Sequence, residues 1–235
     1  GRGFDHSAKT LEVLEAYLQG YGVLLSGGVG VGNGVYTGNG EAGTGWFPDE
    51  TVASNGKSHS GSLYVPELLN FIRRDSLVID NATTDFAPGG YVEIAHDLTI
   101  RGASAGDAGF VIPQGHFHVG GNLIIEKGHI TVSGDAAHPR TDIFRVDGKA
   151  ILDGALITVE CSDEDRDQVV SFGGELVMTN ATTITLKSPC DEVEGEPGLV
   201  FTAPKLEMHK DCWIYPWSHN TNGASCLFQI AEISC

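Results

Sequence analysis

Basic side chains are scarce in this sequence. Its 235 residues include 14 Lys and Arg against 31 Asp and Glu, a formal net charge of −17. Nucleic acid and anionic membrane surfaces are excluded as partners, because both carry the same sign of charge. Only 19 % of residues are charged and 41 % are hydrophobic, so the imbalance comes from missing cations rather than from the dense acids of a disordered tail. Long apolar runs are missing too. None approaches the ~18 residues of a membrane helix, and residues 11–25 are too short and too polar to serve. The cysteines lack CxxC and metal-finger spacing. There is no GxxxxGK[ST] phosphate loop, and spacing assembles no Ser-His-Asp or Cys-His set. Starting at Gly1 without Met, the chain reads as a processed or trimmed product.

Glycine is what the chain has in excess, at 32 of 235 residues. Ordinary usage is roughly 7 %. Each glycine in a helix interior costs about 1 kcal/mol, so a turn-rich, all-β protein is expected. The length suffices to bury a sizeable core without staples. The five cysteines, Cys161, Cys190, Cys212, Cys226 and Cys235, fall in the last third of the chain. They predict disulfides in an oxidising compartment with one thiol left over for an intermolecular bond, Cys235 being the easiest to present. The competing reading is a set of small buried hydrophobes in a reduced compartment. Two sequons, Asn81-Ala82-Thr83 and Asn180-Ala181-Thr182, make Asn81 and Asn180 glycosylation candidates and fit a secreted protein.

Along the chain, residues 8–19 predict a helix capped by Thr10, with an apolar stripe of Leu11, Leu14 and Leu18, stopped by Gly20 and Gly22. Residues 20–62 are rich in Gly, Ser and Asn. The alternation of Val29, Val31 and Val35 reads as a weak strand or an adaptable arm rather than a nucleotide loop. PELLNFIRR, residues 66–74, predicts a second short helix. The expected organisation is residues 1–75 as N-terminal helix, glycine-rich arm and cap, then residues 76–235 as one β domain.

Within 76–235 a repeat emerges. Residues 117–132 read FHVGGNLIIEKGHITV and 144–159 read FRVDGKAILDGALITV; 170–186 read VSFGGELVMTNATTITL and 200–215 read VFTAPKLEMHKDCWIY. A degenerate earlier copy is FAPGGYVEIAHDLTI (86–100), and LFQIAEISC (227–235) is a truncated last one. The unit ends, Ile100, Val132, Val159, Leu186 and Tyr215, are separated by 32, 27, 27 and 29 residues. Each unit opens on an aromatic or β-branched residue and turns, often at Gly-Gly or Asp-Gly. Two strands with alternating apolar residues follow: Leu123 and Ile125, then Ile130 and Val132, with counterparts in the other copies. A single unit cannot bury its apolar side, but stacked units can. The polar loops DAAHPRTD, ECSDEDRDQ, SPCDEVEGEPG and PWSHNTNGAS read as insertions from one region of the stack.

This pattern resembles the right-handed parallel β-helix, or pectate-lyase-like, solenoid superfamily, and it implies a parallel β-helix with coils of about 27 residues. Enzymes of that superfamily cleave acidic polysaccharides with calcium or paired carboxylates, and the carboxylates on strands or turns here are Glu126, Asp147, Asp153 and Glu175. Stacked strands lie about 4.8 Å apart, which suits a carboxyl pair for glycoside hydrolysis. The hydrolase NTD, DD and RIK elements are absent, and Gly128-His129-Ile130 is two-thirds of the usual GHG. Residues 106–122, GDAGFVIPQGHFHVGGN, are also similar to the second cupin motif at Pro113, Gly115, His118 and Asn122, with Gly106 displaced by one. That resemblance implies a metal ligand at His118, with His116 as a second imidazole on the same side of the strand. The earlier HxH motif is missing, and His96 alone lies upstream. The acidic run around Asp163 and Asp165, and that at 191–196, offer oxygen ligands to calcium without EF-hand spacing.

The expectation is thus a non-enzymatic structural subunit of an extracellular, cell-surface or virion assembly, a filament, sheath, surface layer or spike. It would associate with itself through the glycine-rich arm and the solenoid ends, with disulfide cross-links. No resident cofactor is expected, calcium being the one the acidic loops admit, and carbohydrate is the one other partner class. The alternatives are a carbohydrate-active β-helix enzyme and a cupin-like metal-dependent protein.

Overall fold

Short strands with one apolar and one polar side are marginal alone, and each coil of this chain stacks three of them on the coil before. The computed structural model describes residues 29–32, 35–39, 44–46, 61–65, 70–73, 76–86, 88–134, 142–162, 168–188, 198–218 and 226–235. Four consecutive coils carry three strands each. They are Tyr91–Ile94, Leu98–Arg101 and Gly109–Ile112; His116–Val119, Leu123–Glu126 and His129–Ser133; Asp142–Val146, Ala150–Asp153 and Leu156–Glu160; and Gln168–Phe172, Glu175–Thr179 and Thr183–Ser188. First strands pair only with first strands, second with second and third with third, all in parallel. The result is a parallel β-solenoid with three faces, termed face 1, face 2 and face 3 in chain order.

The stack continues at both ends. Asn70–Arg73, Leu77–Asp80 and Ala82–Phe86 extend faces 1, 2 and 3, and Gly61–Val65 and Thr44–Trp46 extend face 3 further. Val29–Gly32 and Val35–Asn39 form the one antiparallel pair among the described strands. Beyond the fourth coil, Leu199–Met208 runs unbroken through faces 1 and 2, and Trp213–Ser218 adds to face 3. Cys226–Ser234 then pairs along Leu199–Met208 across both faces.

The core is a set of columns. Leu98, Leu123, Ala150, Leu176 and Leu206 stack in register on face 2, as do Ile100, Ile125, Leu152 and Met178, all of them buried. Ile130, Ile157 and Ile184 do the same on face 3. A chain of phenylalanine rings runs through the interior: Phe86, Phe110, Phe117, Phe144, Phe172, Phe201 and Phe228, with successive centroids 5.1–6.0 Å apart. Such tilted and offset pairs add about 0.5–1.5 kcal/mol each beyond the area they bury.

Two corners have opposite requirements. Between faces 1 and 2 the backbones of successive coils touch. Gly148 donates to the Gly121 carbonyl at 2.9 Å and Gly174 to the Gly148 carbonyl at 3.0 Å. A Cβ on Gly148 would lie 2.5 Å from the Gly121 oxygen, so no larger residue fits. Between faces 2 and 3 the chain reverses through left-handed residues: Asn81, Lys127, Gly154, Asn180, Ala181 and Asp211 all have φ between 51° and 65°. The four polar insertions foreseen from the sequence all connect a face 3 strand to the next face 1 strand.

The all-β solenoid with ~27-residue coils is thus observed, with four differences in detail. Each coil has three strands, not two, because the opening aromatic of each unit sits on a face 1 strand of its own. The weak first copy is framed differently. Ile100 pairs with Ile125, and the face 3 partner of Val132 is Ile112, so Gly89-Gly90 sits between faces 3 and 1 and not at the corner of Gly120-Gly121. The reason is an insertion, residues 102–108, that moves from one corner to another in that coil. Asn70–Arg73 is a strand, not part of a helix, since pairing with Tyr91–Ile94 overrides a helical apolar spacing. Tyr215 pairs with Thr185, one residue short of the unit end, and Leu186 pairs with Pro216. The helix expected over 8–19 lies outside the described residues.

Candidate functional site

Exposed apolar surface is concentrated on the last coil. Among the described residues, eight large hydrophobics are exposed, and six of them, Trp213, Tyr215, Trp217, Leu227, Phe228 and Ile233, belong to Trp213–Ser218 and Cys226–Ser234. They divide by direction. Phe228 and Ile233 are in register with the buried Phe201 and Leu206, so they occupy core columns, yet they are 39 % and 60 % exposed, and among the described strands none pairs beyond them. Trp213, Tyr215 and Trp217 alternate with Ile214 and Pro216 and point away from the core. Trp213 and Tyr215 lie nearly parallel, with centroids 5.7 Å apart and planes at 15°. An open groove of about 490 Å³ beside this coil is lined by Phe172, Thr202, Ala203, Pro204, Gln229, Ile230 and Ala231.

A polar row runs down the corner between faces 1 and 2. Asp97 accepts from the Asn122 amide N–H at 2.7 Å, and Asn122 accepts from the Lys149 N–H at 2.9 Å. Lys149 and Lys205 then clamp Glu175 at 2.7 and 2.6 Å, with Glu232 in register beyond Lys205. The two ammonium groups bring the Glu175 carboxyl down to a pKa of about 2. A folded pKa below the unfolded value near 4.5 makes this clamp fully stabilising above pH 4.5, and its contribution disappears as the pH falls towards 2. Glu175→Gln is therefore expected to flatten the Tm profile between about pH 4.5 and 2 relative to the parent. The difference shrinks in high salt, because the pair is at the surface. Thermal melts over that range check it.

The residues expected to do chemistry are tied into partners. On face 1, Asp147 accepts from His118 Nε2 at 3.0 Å and from Arg145 Nε at 2.6 Å. Burial pushes the Asp147 carboxyl up, but the bonds from Arg145 and His118 outweigh it and the net shift is downward. Glu126 pairs with Arg101 at 3.3 Å, and Asp153 accepts from Asn180 Nδ2 at 2.5 Å. Glu126 and Asp153 are in register in adjacent coils, whereas Asp147 and Glu175 belong to the other corner of face 2. A general acid needs a raised pKa. No described carboxylate has one among those that depart clearly from the ordinary range.

His116 and His118 do point the same way, but they go to different partners. His116 is buried edge-on against Tyr91, with centroids 3.7 Å apart, while His118 reaches Asp147. Among the described residues no group of three or more His, Cys, Asp or Glu is placed to hold a metal ion. Pro113 to Asn122, which resemble the cupin motif, form a solenoid corner, a face 1 strand and the polar row instead. Asp163 and Asp165 lie outside the described residues, as does Cys190.

The expected intrachain disulfides are not formed among the described cysteines: no bond joins Cys161, Cys212, Cys226 or Cys235 to another of them. Cys161 and Cys212 are buried in the core as small apolar groups, and burial pushes the Cys226 thiol up to about 11, which keeps it protonated and unreactive at neutral pH. Cys235 is exposed. Asn81 and Asn180 are exposed on left-handed turns of one corner, while Thr182 is buried and donates to the Thr179 carbonyl at 2.7 Å. The fold and this surface define a parallel β-solenoid with an apolar last coil. No described helix is long and apolar enough to cross a membrane. Compared with known proteins, the chain matches no family model, no curated protein and no solved structure.

Proposed function

We propose that this chain is a non-enzymatic structural subunit of an extracellular, cell-surface or virion assembly, and that its copies associate through the apolar last coil. One observation carries this reading: Phe228 and Ile233 continue core columns of the solenoid and yet face water. Strand edges with unpaired backbone groups and apolar side chains recruit further strands. A second copy laid over Cys226–Ser234 would bury both. The exposed Cys235 thiol beside that edge suits a cross-link between copies under oxidising conditions.

The carbohydrate-active reading is less well supported. Each of the four carboxylates proposed for catalysis has a cationic or amide partner, and those with shifted pKa are pushed down rather than up. The metal-dependent reading lacks a third ligand beside His116 and His118 among the described residues.

Sedimentation velocity over a concentration series tests the proposal. The parent chain is expected to shift to larger species as concentration rises. The Phe228→Asp and Ile233→Asp variants are expected to stay monomeric with an unchanged circular dichroism spectrum. A parent chain that stays monomeric at every concentration, with and without reductant, overturns it.

A further inference from the structure

End-on association uses the strand edge and inward side chains of Cys226–Ser234, and it leaves the three outward aromatic side chains of face 3 unexplained. We propose that Trp213, Tyr215 and Trp217 form a binding strip for a neutral polysaccharide. The three occupy alternate positions of one strand and so project to the same side, spanning about 13 Å from the first to the third at ~3.3 Å per residue. They are 55 %, 48 % and 50 % exposed, an unusual amount of aromatic surface to leave in water on a single strand.

The neighbouring columns say what kind of ligand fits. Trp213, Tyr215 and Trp217 are in register with Thr183, Thr185 and Lys187 of the next coil, and these with Leu156, Thr158 and Glu160 of the one beyond. Thr158 and Thr185 place hydroxyls in one line beside Tyr215. Lys187 and Glu160 neutralise each other at 3.4 Å. The patch therefore offers flat aromatic faces beside hydroxyl groups, with no surplus charge of its own. A pyranose ring has the complementary make-up, with C–H groups on its faces and hydroxyls on its rim. The net charge of −17 disfavours uronic-acid polymers and nucleic acids. A protein partner would be expected to meet aliphatic side chains around the aromatics, and here Leu156 is the one exposed aliphatic in those columns.

Two of the three tryptophans of the chain lie in the strip, so indole fluorescence reports on it. The intact chain is incubated with cellulose, chitin and an insoluble β-1,3-glucan, with polygalacturonate as the charged control, and then titrated with soluble oligosaccharides of any polymer that retains it. Retention on at least one neutral polymer is expected, with a shift of indole emission and none of either on polygalacturonate. Trp213→Ala and Trp217→Ala are each expected to weaken binding roughly tenfold, the size of one lost aromatic contact. Trp217→Phe should recover most of the loss, with the melting profile of all variants unchanged. The proposal is overturned if no neutral polymer retains the chain, or if polygalacturonate retains it equally. It is overturned as well if the alanine variants bind like the parent, or if they lose self-association instead, which would make the strip a subunit contact. The end contact is tested separately, by sedimentation of the Phe228→Asp and Ile233→Asp variants, so a failure to bind polysaccharide leaves that result standing.

Discussion

Phe144→Ala is expected to lower the stability of the chain by about 3–5 kcal/mol. Phe144 is fully buried at the middle of the aromatic chain, against Phe117 at 5.1 Å and Phe172 at 5.7 Å. Alanine would leave a cavity that neighbouring coils cannot close, because their strands are held in register on all three faces. It would also remove two ring contacts, worth about 0.5–1.5 kcal/mol each. A solenoid is held together mainly by contacts between adjacent coils. The loss should therefore uncouple the coils on either side of 142–160, and urea unfolding should turn from one transition into two. A loss under about 1 kcal/mol with one sharp transition would mean that the coils do not depend on this column.

Gly148→Ala is expected to cost about 3 kcal/mol, although it adds a single methyl group. The new Cβ would stand 2.5 Å from the Gly121 oxygen, 2.7 Å from its carbonyl carbon and 2.8 Å from Asn122 Oδ1. The first two are backbone atoms of the coil beneath, so no rotamer change relieves the clash, and the coils must separate at that corner. Gly154→Ala is the control. Gly154 has φ +59°, but the nearest atom to its Cβ position is 3.4 Å away, so only the left-handed backbone penalty of about 1 kcal/mol applies. Chemical denaturation of both variants should rank them in that order. Equal costs would show that backbone conformation, not coil spacing, governs the glycines.

Much of this architecture is legible in the sequence because a solenoid repeats one local pattern. Leu123, Ala150, Leu176 and Leu206 align by eye and pair in that register, and so do Ile130, Ile157, Ile184 and Ile214. The face 1 strands are harder to read. FHV and FRV show too few residues between a loop and a glycine turn for alternation to stand out. The first coil misleads because its insertion lies at a different corner. The polar row from Asp97 to Glu232 is invisible until the register is known, although Asn122, Lys149, Glu175 and Lys205 each precede an inward apolar residue. The aromatic strip is hidden by Pro216, which reads as the start of a loop after Tyr215. Proline is tolerated on an edge strand, and Trp213–Ser218 is the edge of face 3 among the described strands. The alternation of Trp213, Tyr215 and Trp217 across that proline is the signal that the strand continues.

The central claim is that the edge of Cys226–Ser234 is a contact between copies. Hydrogen exchange read at its own amides, Leu227 to Ser234, at low and high protein concentration, tests this most directly. Slower exchange of those amides at high concentration, with the amides of Ala150–Asp153 unchanged, is the expected result. Exchange along Leu227 to Ser234 that is independent of concentration, in a chain that otherwise associates, would contradict it.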